Sequence, residues 1–277
     1  MAEAGLMARG IFIIGAGSMA EAFIRGVTAR GAMAPERVAV VNRRRPERIA
    51  ELSARYGVRE AASWAEMSAA GLVVVAVKPG DVGDALAQAA PFLTGQPVLS
   101  FAAGVPISYM QEKIGRRSPV VRTMPNIPVA VQAGVTAVAF DEQIRPQDRE
   151  DVLFLLRQLG EVVELPETRM DAVTALCGSG PGFLCYILEA MEDAAADMGF
   201  TRDEARRLLV QTLAGTAEVL RAWGISPAEL RARVTSPNGT THAGVTAMEQ
   251  AGLKHVVAAA LTAAARRAEE LGRTYRG

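Results

Sequence analysis

The sequence has few of the residues that build metal centres and disulfide frameworks. Only two cysteines and two histidines occur among 277 residues. Neither His242 nor His255 has a cysteine or a second histidine at ligand spacing, so we expect no metal site. Cys177 and Cys185 lie eight positions apart in a segment that we interpret as helical, too far for a disulfide within one helix. We expect both to be buried free thiols.

The chain also lacks an excess of charge and a long apolar run, and aromatic residues form only 5% of it. Lys and Arg (30) balance Asp and Glu (30), so no net field attracts nucleic acid or an acidic membrane surface. No stretch approaches the ~20 apolar residues that span a bilayer. Glu3 and Arg9 interrupt the first ten residues, where a secretory signal would be apolar. We expect a cytoplasmic protein that binds neither nucleic acid nor membrane.

Hydrophobic residues form 50% of the chain, and in its first half they are arranged in segments of two kinds. Short β-branched runs alternate there with amphipathic segments, which indicates a mostly parallel sheet covered by helices on both faces. We interpret as strands the ranges 11–14, 38–41, 72–77, 98–101 and 161–165, with another around 120–121. We interpret as helices the ranges 18–30, 46–55, 81–90 and 147–159.

After Pro166 the strand signals stop, and the remaining chain reads as helical. We interpret as helices the ranges 171–198 (interrupted near 178–181), 201–220 and 253–271, with another beginning at Ser226. Thr201 and Glu204 have the spacing of a capping box, which marks a helix start. The sequence therefore predicts an α/β Rossmann-like dinucleotide-binding domain over 1–166 and an all-α domain over 167–277. The apolar faces of the second domain exceed what a small helical domain needs, which favours self-association.

A glycine-rich turn, Gly15-Ala16-Gly17-Ser18-Met19-Ala20, follows the first predicted strand and opens the first helix. Its pattern is G-x-G-x-x-A. The first glycine permits a tight turn, the second lets backbone approach a pyrophosphate, and Ala20 lets helix and strand pack closely. The strand–turn–helix context predicts a dinucleotide site, with the anion at the helix N-terminus.

The second strand is followed by Asn42-Arg43-Arg44-Arg45. A site for NAD usually has Asp or Glu there, to bind the ribose 2′-hydroxyl. An amide and guanidinium groups instead suit the extra phosphate of NADP. We predict NADP(H) as the preferred cofactor, with NAD(H) possible; the alternative is a basic surface turn.

Ala76-Val77-Lys78-Pro79 ends a later strand of the predicted sheet. Ligands of open α/β sheets bind outside the carboxyl ends of strands. Lys78 could therefore border a ribose of the cofactor, or it could be a solvated residue before a turn. Position alone favours neither.

The segment Ser236-Pro237-Asn238-Gly239-Thr240-Thr241 lies between two predicted helices. It leaves the backbone N–H groups of Gly239, Thr240 and Thr241 at a new helix N-terminus, which can receive a carboxylate. A bare inter-helix turn with threonine caps would look the same.

With these motifs in order, the sequence resembles the pyrroline-5-carboxylate reductases. The stretch 235–244 (TSPNGTTHAG), followed by Met248-Glu249, is similar to that family's signature, and the segments 15–19, 76–79, 121–126 and 178–181 agree in order and spacing. The resemblance covers nearly the whole chain. Two positions depart from the family: Asn238 replaces a glycine, and Ile127 replaces a threonine. Asn tolerates left-handed backbone angles, so the first change need not deform the loop.

The resemblance implies the NAD(P)H-dependent reduction of the ring C=N bond of 1-pyrroline-5-carboxylate to L-proline, the last step of proline biosynthesis. It implies a homodimer or a higher homo-oligomer. Asn238, Gly239, Thr240 and Thr241 would bind this cyclic imino acid, and the Thr241 hydroxyl would hydrogen-bond the ring nitrogen. The cofactor-binding residues carried over are Gly15, Ala16, Gly17, Ser18, Met19, Asn42, Arg43, Ala76, Val77, Lys78, Pro79, Met124 and Asn126.

Two other functions compete with this interpretation. One is a related imine reductase or β-hydroxyacid reductase that shares the two-domain plan. The resemblance implies that the β-hydroxyacid enzymes would have a catalytic lysine on a long inter-domain helix, but the range 171–198 contains no lysine. A non-catalytic NADP-binding regulator on the same fold would bind cofactor without consuming it. We interpret His242, next to the predicted substrate loop, as a helix-surface residue.

Overall fold

The computed structural model describes residues 5–43 and 45–275, so Arg44 of the predicted basic cluster lies outside the described residues. The chain divides into two compact units, one of Met1–Ser179 with Ala264–Gly277 and the other of Gly180–Ala263. The sequence suggested a boundary at residue 166. By packing, the first unit extends beyond that position and also takes in the end of the last helix.

The first unit contains an eight-stranded sheet flanked by helices. Its strands are β1 (Ile11–Ile14), β2 (Val38–Val41), β3 (Arg59–Glu60), β4 (Leu72–Val75), β5 (Val98–Ser100), β6 (Val120–Pro125), β7 (Gly134–Phe140) and β8 (Gly160–Glu164). Its helices are α1 (Leu6–Arg9), α2 (Ser18–Ala29), α3 (Glu47–Tyr56), α4 (Val82–Ala89), α5 (Ile107–Ile114), α6 (Pro146–Arg157) and α7 (Met170–Val173). The predicted α/β class is confirmed.

The strand order is β3-β2-β1-β4-β5-β6-β7-β8. Every neighbouring pair is parallel except β6 and β7, which are antiparallel. The chain leaves β1 for β2 on one side and later returns to β4 on the other. Ligands of open α/β sheets bind at such a reversal, outside the carboxyl ends of the strands. The loops after β1, β2 and β4 therefore meet at one edge.

Apolar side chains on both faces of the sheet make the core, because the central strands are buried throughout. On one face Phe23 and Ile24 of α2 pack against β1 and β4. On the other, Val82 and Leu86 of α4 pack against the same strands. The core thus fixes α2 and α4 relative to the strand ends that carry the turns.

Four of the helices and strands were absent from the sequence-based interpretation: α1, β3, α5 and β7. The strand predicted over 72–77 ends at Val75. β7 pairs antiparallel with β6 on one side and parallel with β8 on the other. Its place in the sheet therefore lies between the strand that precedes it and the strand that follows it in the chain.

Ion pairs to the buried Arg122 fix the start of the helical region to the sheet. Arg122 on β6, with 3% of its side chain exposed, contacts Glu167 at 3.2 Å and Asp171 at 2.9 Å. Glu167 also accepts a hydrogen bond from the N–H of Ile107 at 2.7 Å. After α7 the helix widens into a π-helical turn over Thr174–Gly178, close to the predicted interruption.

The second unit is entirely helical within its described residues. It comprises α8 (Gly180–Asp197), α9 (Arg202–Trp223), α10 (Pro227–Arg233), α11 (Thr240–Gln250) and the first part of α12 (Leu253–Arg273). Both Thr201–Glu204 and Ser226–Glu229 form complete capping boxes. Arg202 and Arg206 of α9 pair with Asp193 and Glu192 of α8 at 2.7 and 3.0 Å.

This second unit has almost no core of its own. Of its residues, only Ala205 is buried. Many large apolar side chains are exposed instead: Leu184, Tyr186, Ile187, Met191, Met198, Phe200, Leu208, Val210, Leu213, Trp223, Val234, Met248, Leu253, Val256 and Val257. A patch of this extent marks an interaction surface, because monomeric proteins rarely leave so much apolar area in water.

The cysteines and the hydropathy of this region differ from expectation. Cys177 is half-buried, which raises the pKa of its thiol, and Cys185 is exposed rather than buried because α8 has no buried face.

The helical stretch Glu167–Asp197 is long and apolar enough to cross a membrane, with 11% of its 18-residue window buried. The sequence has no uninterrupted apolar run there, but its Ala and Leu content raises the mean hydropathy to 1.2.

Candidate active site

The turn after β1 is built on close backbone approaches. Gly15 has φ +105°, and its N–H donates to the Val41 carbonyl of β2 at 2.8 Å. A Cβ on Gly15 would lie 2.7 Å from the Ala76 carbonyl oxygen beyond β4, so only glycine fits. The turn is therefore held between the ends of β2 and β4.

Gly17 and the first turn of α2 present unpaired backbone donors. Gly17 is the N-cap of α2, and no side chain caps the helix. Among the described residues, no acceptor lies on the N–H groups of Gly17, Ser18 and Met19. A Cβ on Gly17 would meet nothing within 4 Å. An open helix N-terminus of this kind suits a phosphate.

A cavity of about 240 Å³ opens at this edge of the sheet. Its walls come from the turn after β1, the end of β2, the start of α3, the segment after β4 and one face of α4. The predicted cofactor residues that line it are Gly15, Ala16, Gly17, Asn42, Arg43, Ala76, Val77 and Lys78. Arg45, from the predicted basic cluster, also lines it. The lining further includes residues that the sequence motifs did not indicate: Arg48, Trp64, Asp81, Asp84, Ala85 and Gln88.

The polar residues after β2 have different environments. The side-chain amide of Asn42 donates to the Arg45 carbonyl at 2.8 Å, so it stabilises the 42–45 turn. Arg45 is exposed and pairs with Glu47 at 3.1 Å. Arg43 is exposed at the cavity, with no ion pair to any other described residue. Among the described arginines of this turn, Arg43 is therefore the one whose charge is not paired with a carboxylate of the described chain.

Arg48 was missed because its contacts are tertiary. Its Nε donates to the Ala16 carbonyl at 3.2 Å, and its terminal nitrogens pair with Glu21 and Glu51. Burial alone would raise the pKa of the Glu21 carboxyl. Hydrogen bonds from Arg55, Tyr56 and Arg48 outweigh burial and hold that pKa below its usual value. Glu21 thus remains a carboxylate between α2 and α3.

The remaining predicted cofactor residues lie outside the cavity lining. Ser18 is exposed on the first turn of α2, Met19 packs against the core, and Pro79 starts a short 3₁₀ turn. Met124 packs beside Gly178, where a Cβ would overlap its methyl group. Asn126 accepts a hydrogen bond from the Val135 N–H at 3.0 Å, which joins the end of β6 to β7. Direct roles for these residues in cofactor binding stay predictions.

The loop before α11 begins a helix as predicted, but the predicted free N–H of Gly239 is not free: it donates to the Ser236 carbonyl at 3.0 Å. Asn238 adopts a left-handed conformation with φ +60°, so the replacement of glycine is accommodated. Gly239 is the N-cap of α11, and a Cβ on it would overlap the Ser236 hydroxyl. No side chain caps this helix. Thr240, Thr241 and His242 are all exposed on its first turn, in agreement with a surface position for His242.

Comparison with known proteins decides the family. A pyrroline-5-carboxylate reductase of Mycobacterium leprae is 40% identical to this chain over 289 residues, covering 96% of this chain and 97% of the relative. The chain belongs to the pyrroline-5-carboxylate reductase family. The family model for pyrroline-5-carboxylate reductase dimerisation matches residues 167–271. The model for NADP oxidoreductase, coenzyme F420-dependent, matches residues 10–104.

Solved structures of pyrroline-5-carboxylate reductases share this fold. The enzyme of Coxiella burnetii superposes with a TM-score of 0.89 at 32% identity, covering 95% of this chain and 98% of its own. A pyrroline carboxylate reductase of Plasmodium falciparum with NADP bound gives a TM-score of 0.83 at 24% identity, covering 97% and 100%. The exposed apolar helices α8 and α9 thus lie within a dimerisation domain.

Proposed function

We propose that this chain reduces the ring C=N bond of 1-pyrroline-5-carboxylate to L-proline, the final step of proline biosynthesis, with NADPH as the preferred reductant. The observation that carries the proposal is membership of the pyrroline-5-carboxylate reductase family across 96% of the chain. The protein is thus an NADP-dependent oxidoreductase acting on a C=N bond. NADH remains a second, weaker cofactor.

The residues at the sheet edge fit the dinucleotide. Gly17 borders open space, and the backbone N–H groups at the start of α2 await an acceptor. No carboxylate follows β2 to bind a ribose 2′-hydroxyl; Asn42 and Arg43 stand there instead. Lys78, exposed at the cavity, adds another cation on its far wall. Asp81 and Asp84 also line the cavity, so the preference for NADP rests on the residues directly after β2, Asn42 and Arg43.

The chemistry that the cofactor supplies when bound is a hydride for the imine carbon. The chain itself then needs no strong general acid, because a protonated imine brings the proton that the product amine keeps. Thr241 supplies a hydroxyl that holds the ring nitrogen in place. This agrees with the position of His242, which follows the substrate loop and is exposed on the helix surface.

The substrate carboxylate is held by the backbone N–H groups of Thr240 and Thr241 at the start of α11, because the Gly239 N–H already donates to the Ser236 carbonyl. Asn238 supplies the left-handed turn, and Gly239 supplies the close approach that brings these N–H groups together. A helix N-terminus stabilises an anion without a dedicated arginine. The enzyme's contribution is then positioning of a reactive imine.

A second copy of the chain covers the exposed faces of α8 and α9. The protein is therefore a homodimer or a higher homo-oligomer. The apolar stretch 167–197 packs in this interface rather than in a bilayer, and the assembly is cytoplasmic. It needs no nucleic acid or membrane partner, and no metal.

An assay with purified protein tests the proposal. Addition of 1-pyrroline-5-carboxylate should cause the nicotinamide absorbance of NADPH to fall, and L-proline should accumulate in equal amount. NADH should support a slower reaction. A protein that binds NADPH but does not consume it would instead be a non-catalytic NADP-binding regulator.

A further inference from the structure

Arg48 stands apart from the other arginines at the cavity. It lies on the first turn of α3, and only 22% of its side chain is exposed, against 68% for Arg45. The pyrroline-5-carboxylate reductase motifs do not include it. Arg48 lies beside the dinucleotide turn, and the role that we infer for it rests on the proposed binding of NADP(H) there.

All three guanidinium nitrogens of Arg48 are engaged. Nε donates to the Ala16 carbonyl at 3.2 Å, and the other two nitrogens bind Glu21 and Glu51. Glu21 is in turn held by Arg55 at 2.6 Å and by the Tyr56 hydroxyl at 3.0 Å. The planar fork of Arg48 is therefore fixed in orientation before any ligand arrives.

The Ala16 contact fixes one peptide unit of the turn. A trans peptide is planar, so its C=O and N–H point in opposite directions, and the described chain has no cis peptide bond. With the Ala16 carbonyl turned toward Arg48, the N–H of Gly17 is turned away from it. Gly17 lines the cavity, and its N–H has no acceptor among the described residues.

The charge of Arg48 is already neutralised within the protein, so Arg48 does not bind a phosphate directly. Two carboxylates, Glu21 and Glu51, already pair with its guanidinium. Arg43 at the same cavity has no such pair in the described part of the chain. An incoming anion is therefore attracted to Arg43, whereas Arg48 acts through the backbone.

We propose that Arg48 is a positioning residue: by holding the Ala16 carbonyl, it aims the Gly17 N–H at the pyrophosphate of the dinucleotide. NADPH and NADH share that pyrophosphate. Loss of the contact therefore weakens both cofactors by the same factor, whereas a residue that reads the 2′-phosphate would affect only NADPH.

The test uses Arg48→Lys and Arg48→Met in the full-length protein, with Kd values for NADPH and NADH measured by calorimetry without imine. A lysine ammonium keeps a cation beside Glu21 and Glu51, but those charged acceptors compete it away from the neutral Ala16 carbonyl. The thermal midpoint of Arg48→Lys should therefore stay near wild type while both Kd values rise roughly tenfold. In turnover, KM for NADPH should rise and kcat should hold.

Arg59 offers a matched control. Its Nε donates to the Glu36 carbonyl, also at 3.2 Å, and it pairs with Glu66, but it does not line the cavity. Arg59→Lys should leave both Kd values unchanged. The proposal fails if Arg48→Lys binds both cofactors normally, or if only NADPH weakens, which would mean direct contact with the 2′-phosphate.

Titration without imine keeps this test separate from the proposed reaction. If the wild-type protein binds both cofactors but forms no proline, the reaction is wrong and the Arg48 comparison still stands or falls on its own Kd values. If the wild-type protein binds neither cofactor, both proposals are wrong.

Discussion

Gly15 and Ala76 approach so closely that a Cβ on Gly15 would lie 2.7 Å from the Ala76 carbonyl oxygen. The contact joins the turn after β1 to the segment after β4, on the two sides of the sheet reversal where a dinucleotide binds. Gly17, two residues later, faces open space. The two glycines therefore serve different purposes, one for the fold and one for the ligand.

Alanine substitutions should separate these purposes. Gly15→Ala meets backbone and requires φ +105°, so the free energy of unfolding should fall by roughly 2–4 kcal/mol. Gly17→Ala should keep wild-type stability, because its φ is −77° and its surroundings are empty, yet lose cofactor affinity as the methyl group enters the phosphate space. Denaturant unfolding and NADPH titration check both. Equal stability losses in the two variants would contradict this assignment.

Arg43 should control the choice of cofactor. Arg43→Glu replaces an exposed cation at the cavity with an anion that repels the 2′-phosphate. We expect the Kd for NADPH to rise on the order of 100-fold and the Kd for NADH to change less than about threefold. Arg45→Glu, at a site already paired with Glu47, is the neighbouring control and should have a smaller effect. Equal losses for both cofactors would mean that Arg43 does not read the 2′-phosphate.

Thr241 should matter to turnover and not to folding. Its hydroxyl is exposed on the first turn of α11, so Thr241→Ala removes no buried contact and the thermal midpoint should not change. Loss of a hydrogen bond to a charged imine should lower kcat/KM roughly 10- to 100-fold. Thr241→Ser keeps the hydroxyl and should retain most activity. An unchanged kcat/KM in Thr241→Ala would remove this residue from the mechanism.

Glu21 should make stability depend on acid pH. The pKa of its carboxyl is lowered in the folded protein. As pH falls, the Glu21 carboxyl of the unfolded chain, with a pKa of about 4.3, is therefore protonated first. The stabilisation is therefore complete above that value and is lost as pH falls through the lower, folded pKa. Thermal unfolding of Glu21→Gln should show a lower midpoint than wild type at pH near 7 and a shrinking difference in acid. A constant difference across this range would contradict the charge argument.

The exposed apolar face of α9 should hold the assembly together. Leu208 is 58% exposed in the single chain, and Leu208→Asp would place a charge in the proposed interface. Sedimentation should show dissociation toward monomer, with loss of activity. Val163→Asp, at an exposed apolar position of β8, is the control and should sediment as wild type. An unchanged assembly in Leu208→Asp would place the interface elsewhere.

Local signals predicted much of the fold. The turn at 15–20 and the capping box at Thr201–Glu204 each depend on residues that are close together in sequence, and both form as predicted. α5 was missed although Pro106 precedes it and Gly115, with φ +63°, ends it, a pairing typical of helix boundaries. β7 was missed because its antiparallel pairing with β6 is a property of the assembled sheet.

The candidate site was only partly predictable for the same reason. Motif glycines and the polar residues after β2 stand at fixed offsets from a strand, so the sequence placed them at the sheet edge. Arg48 lies on α3 and contacts the carbonyl of Ala16, which is 32 positions earlier in the chain, so no local sequence pattern predicts that contact. Trp64 and Gln88 likewise reach the cavity only through the packing of the chain. The sequence also did not predict that the apolar side chains of the second unit are exposed. Apolar periodicity predicts that one face of a helix is buried, but it does not show whether the same chain buries that face.

The most direct test of the account follows the hydride. Wild-type protein is given 1-pyrroline-5-carboxylate and NADPH carrying deuterium at the transferable position of the nicotinamide, and the proline formed is analysed by mass spectrometry and NMR. The account predicts L-proline with a single deuterium on the ring carbon that was the imine carbon. Proline without deuterium at that carbon, or no proline while NADPH stays bound and unchanged, would contradict it.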